Sequence, residues 1–352
     1  MSNATQRIQD AKNTLGSDLV ILGHHYQHDS VIQHCDLTGD SLELARNVAG
    51  LSSRYIVFCG VIFMGESAAL LVDKNQQVFM PDLDASCIMS DMAPDPVVYN
   101  VLEQLKKSGK KVVPLTYVNS SAAVKAVVGA EDGASCTSAN AGTMLQWCLD
   151  RGDSVLFLPD KNLALNTADV LGIPDAERRV IDITRGGRNI DPNVALGAKL
   201  LIWPGCCAIH SIRMKVSHIE QARAAHPDCT IIVHPECSPE VVQAADVSGS
   251  TSKIIKYCEE APAGATIYIG TEINLVERLM KRFAGEKTII PLQRSACKNM
   301  AKNTEDKLAF LLEDLVQAHR SGTPPKAEPV TVDDETAANA RLCLERMLEA
   351  CS

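Results

Sequence analysis

Subtracting 210 from the residue numbers of one part of this chain lands on another part without a gap. Ile231 falls on Ile21, His234 on His24, Gly249 on Gly39 and Thr251 on Ser41. Further on, Gly270 falls on Gly60, Pro291 on Pro81 and Cys297 on Cys87. Matches of this kind at a single offset mark an internal repeat, and a repeat restricts the fold to copies of one supersecondary unit. The unit can be read from its first copy. Asp18-Leu-Val-Ile-Leu-Gly-His-His-Tyr26 is apolar and then abruptly polar, and Gly39-Asp40-Ser41 opens a helix that runs to Ala49. Tyr55–Gly60, a helix near Glu66–Leu71 and Gln77–Pro81 follow, and Asp84-Ala-Ser-Cys87 closes the unit. Near-continuous apolar strands alternating with helices predict a parallel sheet covered on both faces.

The last copy runs from Cys229-Thr-Ile-Ile-Val-His-Pro-Glu236 through Ser248-Gly-Ser-Thr251, Thr266–Gly270 and Thr288–Pro291 to Cys297. A looser middle copy starts at Lys111–Asn119, where Tyr117-x-Asn119 replaces His24-x-Tyr26 and His234-x-Glu236. It continues through Ser135–Asn140, Ser154–Pro159 and Lys199–Trp203. From the first-strand polar residue to the closing cysteine the spans are 63 (24 to 87), 90 (117 to 207) and 63 (234 to 297). The middle copy therefore carries an insertion, placed within Pro174–Ala195, whose Arg178, Arg179, Arg185 and Arg188 read as a solvated surface loop. The fold class predicted is α/β: three αβα domains with small parallel sheets, related by a pseudo-threefold axis around a central cavity. Their expected boundaries are 1–90, 91–208 and 209–300, and helices within 301–352 are expected to pack on the first.

Composition narrows the partners. With 34 basic and 43 acidic side chains the net charge is −9, which argues against a broad nucleic-acid surface. No apolar run is long enough to span a bilayer, and Met1 to Ser17 is too polar for a signal peptide. Thirteen cysteines without an export signal point to a reducing cytoplasm, where surplus thiols bind metals, catalyse or pack.

Ligands of open parallel sheets bind outside the carboxyl ends of the strands. His24, Tyr26, Tyr117, Asn119, His234, Glu236, Cys87, Cys207 and Cys297 all fall at such ends. Cys207 lies in Trp203-Pro-Gly-Cys-Cys-Ala-Ile-His210, just past a buried strand. One cysteine per copy, with no close C-x-x-C pair, suits a 4Fe–4S cluster with one open iron better than a four-ligand structural zinc. Zinc bound by the same thiols stays open on spacing alone.

These residues resemble a known family, the quinolinate synthases or NadA enzymes of de novo NAD biosynthesis. The likeness is carried by Gly23-His-His-Tyr-Gln27, Gly39-Asp-Ser-Leu-Glu-Leu-Ala45, Phe63-Met-Gly-Glu-Ser67 and Tyr117-Val-Asn119. Thr137-Ser-Ala-Asn140, Trp203-Pro-Gly-x-Cys-x-x-His210, Val233-His-Pro-Glu-Cys237 and Gly249-Ser-Thr-Ser-Lys253 extend it over nearly the whole chain. The resemblance implies condensation of iminoaspartate with dihydroxyacetone phosphate to quinolinate, phosphate and water. It also implies a central 4Fe–4S cluster held by Cys87, Cys207 and Cys297, and it admits transient contact with an L-aspartate oxidase as supplier. Gly23 and His25 depart from common family residues, and Lys298-Asn-Met300 replaces the usual Pro-x-Met. Pro291 and Arg294 exclude the C-x-x-C-x-x-C that some members carry here.

Roles follow from side-chain chemistry. Glu236 is the candidate general base and Tyr26 a proton-transferring phenol. His24 and His234 bond or protonate substrate oxygens, and Tyr117 and Asn119 orient the substrate. Ser41, Ser138, Ser250 and Thr251, at helix starts, suit phosphate or carboxylate groups. Cys206 is read as an extra thiol beside the ligand Cys207. Met64 and Glu66 are carried as cavity-lining residues without a role. Cys35, Cys59, Cys136, Cys148, Cys229, Cys237, Cys258, Cys343 and Cys351 are read as packing. A zinc-dependent lyase and a non-catalytic iron–sulfur sensor are the competing classes. The acid–base pair Glu236 and Tyr26 weighs against the sensor, which needs neither.

Overall fold

Every residue of Leu19–His24 is buried, as a strand covered on both faces requires. The structure, a computed structural model, describes residues 3–351. It divides into two units, the first running through Cys87 and adding Cys297–Asp333, the second holding Ile88–Ala296 and residues from Asp334 on.

In the first unit Leu19–His24 (β1), Leu37–Gly39 (β2), Tyr55–Cys59 (β3) and Gln77–Phe79 (β4) form one parallel sheet, order β2-β1-β3-β4. One face carries Leu19, Ile21, Tyr55, Val57 and Phe79, buried against the apolar stripes of helices Asn3–Leu15 and Glu305–Ser321. Arg7 and Glu313 join these two helices by a bidentate pair, both bonds 2.6 Å.

The second unit contains two parallel sheets. Val112–Tyr117 (β5), Ala134–Cys136 (β6), Ser154–Leu158 (β7), Arg178–Val180 (β8) and Leu200–Ile202 (β9) have the order β6-β5-β7-β9-β8. Thr230–Val233 (β10), Val247–Ser248 (β11), Thr266–Gly270 (β12) and Thr288–Pro291 (β13) have the order β11-β10-β12-β13. All three sheets thus share one strand order, and the middle one adds β8 at its edge. β8 comes from the expected insertion. Arg178 in it is no loop residue, because its guanidinium bonds Asp169 and the Ile173 carbonyl, while Arg179, Arg185 and Arg188 are exposed.

The repeat extends to hydrogen bonds. Asp36 accepts from Ile21 N through Oδ2 at 2.8 Å, and Asp246 accepts from Ile231 N at 2.7 Å. A cation braces each: Lys12 reaches Asp36 and the His34 carbonyl, Arg223 reaches Asp246 and the Ala244 carbonyl. The ladder registers correct the gapless offset. Gly23 pairs with Cys59 but Val233 pairs with Gly270, so the third strands match at 211. One residue is gained before β12 and given back before Cys297, which restores 210 at the cysteines.

The final helix, Asp334–Ala350, was expected on the first domain. It belongs instead to the second unit, where Cys343 joins the core of Val124, Val128, Leu156 and Leu158. Arg346 bonds the carbonyls of Gly129 and Gly133 at 2.9 and 2.7 Å. Its buried residues Ala340, Cys343, Leu344 and Met347 follow the helical period, but nothing in a periodic stripe names the surface it meets. Gly129 permits that approach, since a Cβ there would lie 1.9 Å from the Asn339 carbonyl oxygen. Gly129→Ala should therefore lower stability by about 1–3 kcal/mol, as overpacking does. Gly142→Ala, with open space around it, should be neutral or stabilising by about 0.5 kcal/mol. Denaturant midpoints of the two variants check this, and equal shifts would contradict the packing.

Candidate active site

The turn after β10, His234-Pro235-Glu236-Cys237, bends sharply back. Cys237 N donates to the His234 carbonyl at 3.0 Å, and Glu236 N donates to His234 Nδ1 at 3.3 Å. The turn after β1 is built alike: Gln27 N donates to the His24 carbonyl at 2.9 Å, and Tyr26 N to His24 Nδ1 at 3.1 Å. A ring nitrogen that accepts carries no proton, so the neutral imidazole bears its hydrogen on Nε2. His24 and His234 are both set as Nε2–H donors by their own backbone. Tyr26 stands edge-on to His24, ring centroids 4.7 Å apart.

Glu236 is 3% exposed, and a buried carboxylate needs donors. Tyr117 Oη, at the end of β5, donates to Oε1 at 2.7 Å. His210 Nδ1, from the short helix Ala208–Ser211, lies 2.8 Å from Oε2, and its Nε2 lies 3.1 Å from Thr271 Oγ1. The His210 and His234 rings stack at 4.5 Å. Burial pushes the Glu236 carboxyl up, but the nearby histidines and the bonds from His210 and Tyr117 outweigh it and hold the group well below the usual range. Asp160 is driven the other way, by burial and then by the charge of Glu236. Between these two carboxyls the ionised one is Glu236, since it alone has donors from two side chains. His234 is lowered to about 3, by burial and then by His210, so it is a neutral donor at any physiological pH.

Cys207 Sγ, a His210 nitrogen and a Glu236 oxygen all lie within 4.8 Å of one another. Both His210 nitrogens are engaged, one with Glu236 and one with Thr271, so these side chains form a hydrogen-bonded acid–base network. The Cys207 turn is fixed from behind. Asp160 Oδ2 accepts from Cys207 N at 3.0 Å, and Lys161 N donates to the Gly205 carbonyl at 2.8 Å. Gly205 is required there, because a Cβ would sit 2.6 Å from the Pro159 oxygen.

The chemistry of the donor set fits an iron–sulfur cluster. All thirteen cysteines are free of disulfides, and Cys87, Cys207 and Cys297 are half-buried. Most of those read as packing residues are fully buried, and burial raises the thiols of Cys136, Cys148, Cys237, Cys258 and Cys343. Cluster ligands must be thiolates, so the partly exposed cysteines are the suitable ones. Cys206, Cys35 and Cys351 are half-buried too, so exposure alone does not select the three.

Helix starts sort the hydroxyls. Asp40, not Ser41, caps helix Ser41–Val48, accepting from Leu42 N and Glu43 N. Ser250 caps Thr251–Glu260 through Lys253 N, which leaves the buried Thr251 Oγ1 without a partner among the described residues. Ser138 is half-buried in a turn closed by Asn140 Oδ1 on Thr137 N. Asn119 Oδ1 is likewise buried without a partner. The sequence reading left out His210 as a site residue, together with Thr271, Asp160, Asn162 and Asn166. Thr271 follows strand β12 directly and Asp160 is separated from the end of β7 by one residue, the strand-end position that singled out the others.

A chain of repeated parallel-sheet units, with histidines, a phenol and a buried carboxylate at its strand ends, is an α/β protein whose strand ends carry acid–base side chains. Comparison makes this particular. The family model described as Quinolinate synthetase A protein matches residues 6–349. The quinolinate synthase of Acidobacterium capsulatum is 42% identical over 350 residues, covering 98% of this chain and 92% of that one. That of Corynebacterium glutamicum is 44% identical over 350 residues, covering 97% and 86%, and that of Halobacterium salinarum 38% over 350, covering 98% and 91%. The chain belongs to the quinolinate synthase family and is an enzyme of that type.

The low value at His234 makes a stability prediction. Unfolded, the imidazole takes a proton near pH 6.5; folded, it does so only near 3. Between those values the unfolded state binds more protons, so this group makes stability fall as pH falls, by up to ~1.4 kcal/mol per unit. His234→Asn should reduce the slope of unfolding free energy against pH by close to one proton between pH 4 and 6. An unchanged slope would mean that His234 titrates in the folded protein.

Proposed function

We propose that this enzyme condenses iminoaspartate with dihydroxyacetone phosphate to quinolinate, phosphate and water, with a 4Fe–4S cluster held by Cys87, Cys207 and Cys297. Family membership over nearly the whole chain supports the reaction. The single observation that carries the site reading is the bonding of Glu236 by Tyr117 and His210, which keeps a buried carboxylate ionised and fixed in place. When bound, the cluster would supply a Lewis acid through the iron that lacks a protein ligand.

The remaining steps belong to side chains. Glu236 takes the proton whose removal enolisation or dehydration requires, and His210 with Thr271 offers it a way onward. Tyr117 fixes the carboxylate and orients substrate. His234 and His24 donate from Nε2 to substrate carboxylate or carbonyl oxygens, and Tyr26 serves as a second proton donor. Ser41, Asn119, Ser138, Ser250 and Thr251 bind the phosphate and carboxylate groups; the orphaned oxygens of Asn119 and Thr251 are acceptors awaiting a donor, and the Thr251 hydroxyl is also a donor for an anion. We place the enzyme in the cytoplasm, where thirteen thiols stay reduced. Among the described residues no helix is long and apolar enough to cross a membrane. An L-aspartate oxidase would supply the short-lived imine by transient contact.

Glu236→Gln and Tyr26→Phe should keep the iron and lose about 10²- to 10⁴-fold in turnover, the range of general acid–base groups. The assay is anaerobic quinolinate formation from dihydroxyacetone phosphate and freshly generated iminoaspartate. Cluster-replete protein that makes no quinolinate would sink the reaction, and full activity in both variants would sink only the roles. Cys207→Ser should lose iron and sulfide while Cys206→Ser retains them. The opposite result would move the ligand by one residue.

A further inference from the structure

The start of helix Lys161–Val170 faces the turn that carries Glu236, and its side chains reach the main chain rather than the carboxylate. Asn162 Nδ2 donates to the Glu236 carbonyl at 3.1 Å. Asn166, one helical turn on, donates through a single Nδ2 to the Pro235 carbonyl at 2.8 Å and the Cys237 carbonyl at 2.9 Å. Three consecutive carbonyls are thereby held by two amides at i and i+4, the spacing that puts side chains on one helical face. Both asparagines are buried, at 2% and 5% exposure. The Asn166 Oδ1 is buried with no partner among the described residues, a cost offset by the Nδ2 bonds to two carbonyls. What is retained is the pair of N–H donors. The same helix is anchored at its cap: Asp160 Oδ1 accepts from Leu163 N while Oδ2 accepts from Cys207 N.

We propose that Asn162 and Asn166 are positioning residues, fixing Glu236 through the backbone of Pro235–Cys237. The proposal rests on the reading of Glu236 as general base. A turn whose carbonyls are pinned on one side, and whose amides are pinned to His234 on the other, holds the Glu236 Cα–Cβ bond in the direction from which the side chain reaches Tyr117 and His210. Misplacing a catalytic group by about 1 Å costs on the order of 10²-fold in rate. Neither amide is assigned to touch substrate, so ground-state binding should be spared.

The test is a double-mutant cycle on cluster-loaded protein. Asn166→Leu should lower kcat by roughly 10- to 100-fold with KM changed less than about 2-fold and iron content unchanged. Asn162→Ala, which loses one bond and disturbs packing less, should lower kcat several-fold in the same pattern. In a Glu236→Gln background neither substitution should lower single-turnover rate further, because a residue that acts through another has nothing left to act on. Asn100→Ala, which removes a comparable amide bond to the Gly186 carbonyl elsewhere in this unit, should leave kcat at the wild-type value. Losses that add in full to that of Glu236→Gln, a wild-type kcat in both single variants, or losses confined to KM would overturn the proposal. Wild-type turnover in Glu236→Gln would overturn it together with the base assignment, which separates the two failures.

Discussion

Burying the carboxylate of Glu236 is the constraint around which the second unit is arranged. An ionised carboxylate removed from water costs several kcal/mol unless hydrogen bonds replace its hydration. Its two oxygens find them in elements far apart in sequence: Tyr117 from the end of β5 and His210 from the helix after Cys207. Each charge-assisted bond contributes about 1.5–3 kcal/mol, enough between them to keep the group charged. The cost appears at Asp160, whose carboxyl is pushed up first by its own burial and then by the charge of Glu236. One carboxyl is spent on catalysis-ready charge and its neighbour on architecture, where it holds the Cys207 amide.

Parallel sheets make this gathering possible. All strands of a sheet point the same way, so every polar residue just beyond a strand lands on one edge. The histidine turns after β1 and β10 show how little machinery is needed. A backbone amide two residues on binds Nδ1 and so selects the tautomer, with no outside partner. That device is local, which is why it survives in both copies even though the residue at its end differs, Tyr26 in one and Glu236 in the other.

The legible part of this protein was the part written in local patterns. Alternation of apolar runs and helices gave three strands of each sheet, while the short edge strands β2, β6, β8 and β11, two or three residues each, carry too little apolar pattern to be read and passed as turns or loop. Residues at strand ends were found by position and chemistry together: His24 and Tyr26 share one turn in the first unit, and Tyr117, His234 and Glu236 lie in one bonded group in the second. Long-range pairing was opaque. The one-residue register difference at β12 leaves no mark in an apolar run, since sliding one residue along Thr266–Gly270 changes faces without changing hydrophobicity. The docking of Asp334–Ala350 was equally hidden, because it is decided by a notch at Gly129 that sequence shows only as another glycine. Arg178 looked like loop charge because its partner Asp169 lies across a turn.

His210 was missed for a different reason, and it explains how such sites escape motif reading. It sits three residues after Cys207, inside the motif that names the cysteine, where it reads as part of that signature rather than as a chemical group. Its bonds reach Glu236, 26 positions later, and Thr271, 61 positions later. A bonded set of this kind has no spacing of its own; it exists only where β10, β12 and the Cys207 turn meet. The asparagines of helix Lys161–Val170 are more hidden still, since they bind carbonyls and a carbonyl is present at every residue. Positioning groups that act through the main chain therefore leave almost no compositional trace. Their best sign is a buried amide that leaves one of its own atoms unpaired, as Asn166 does.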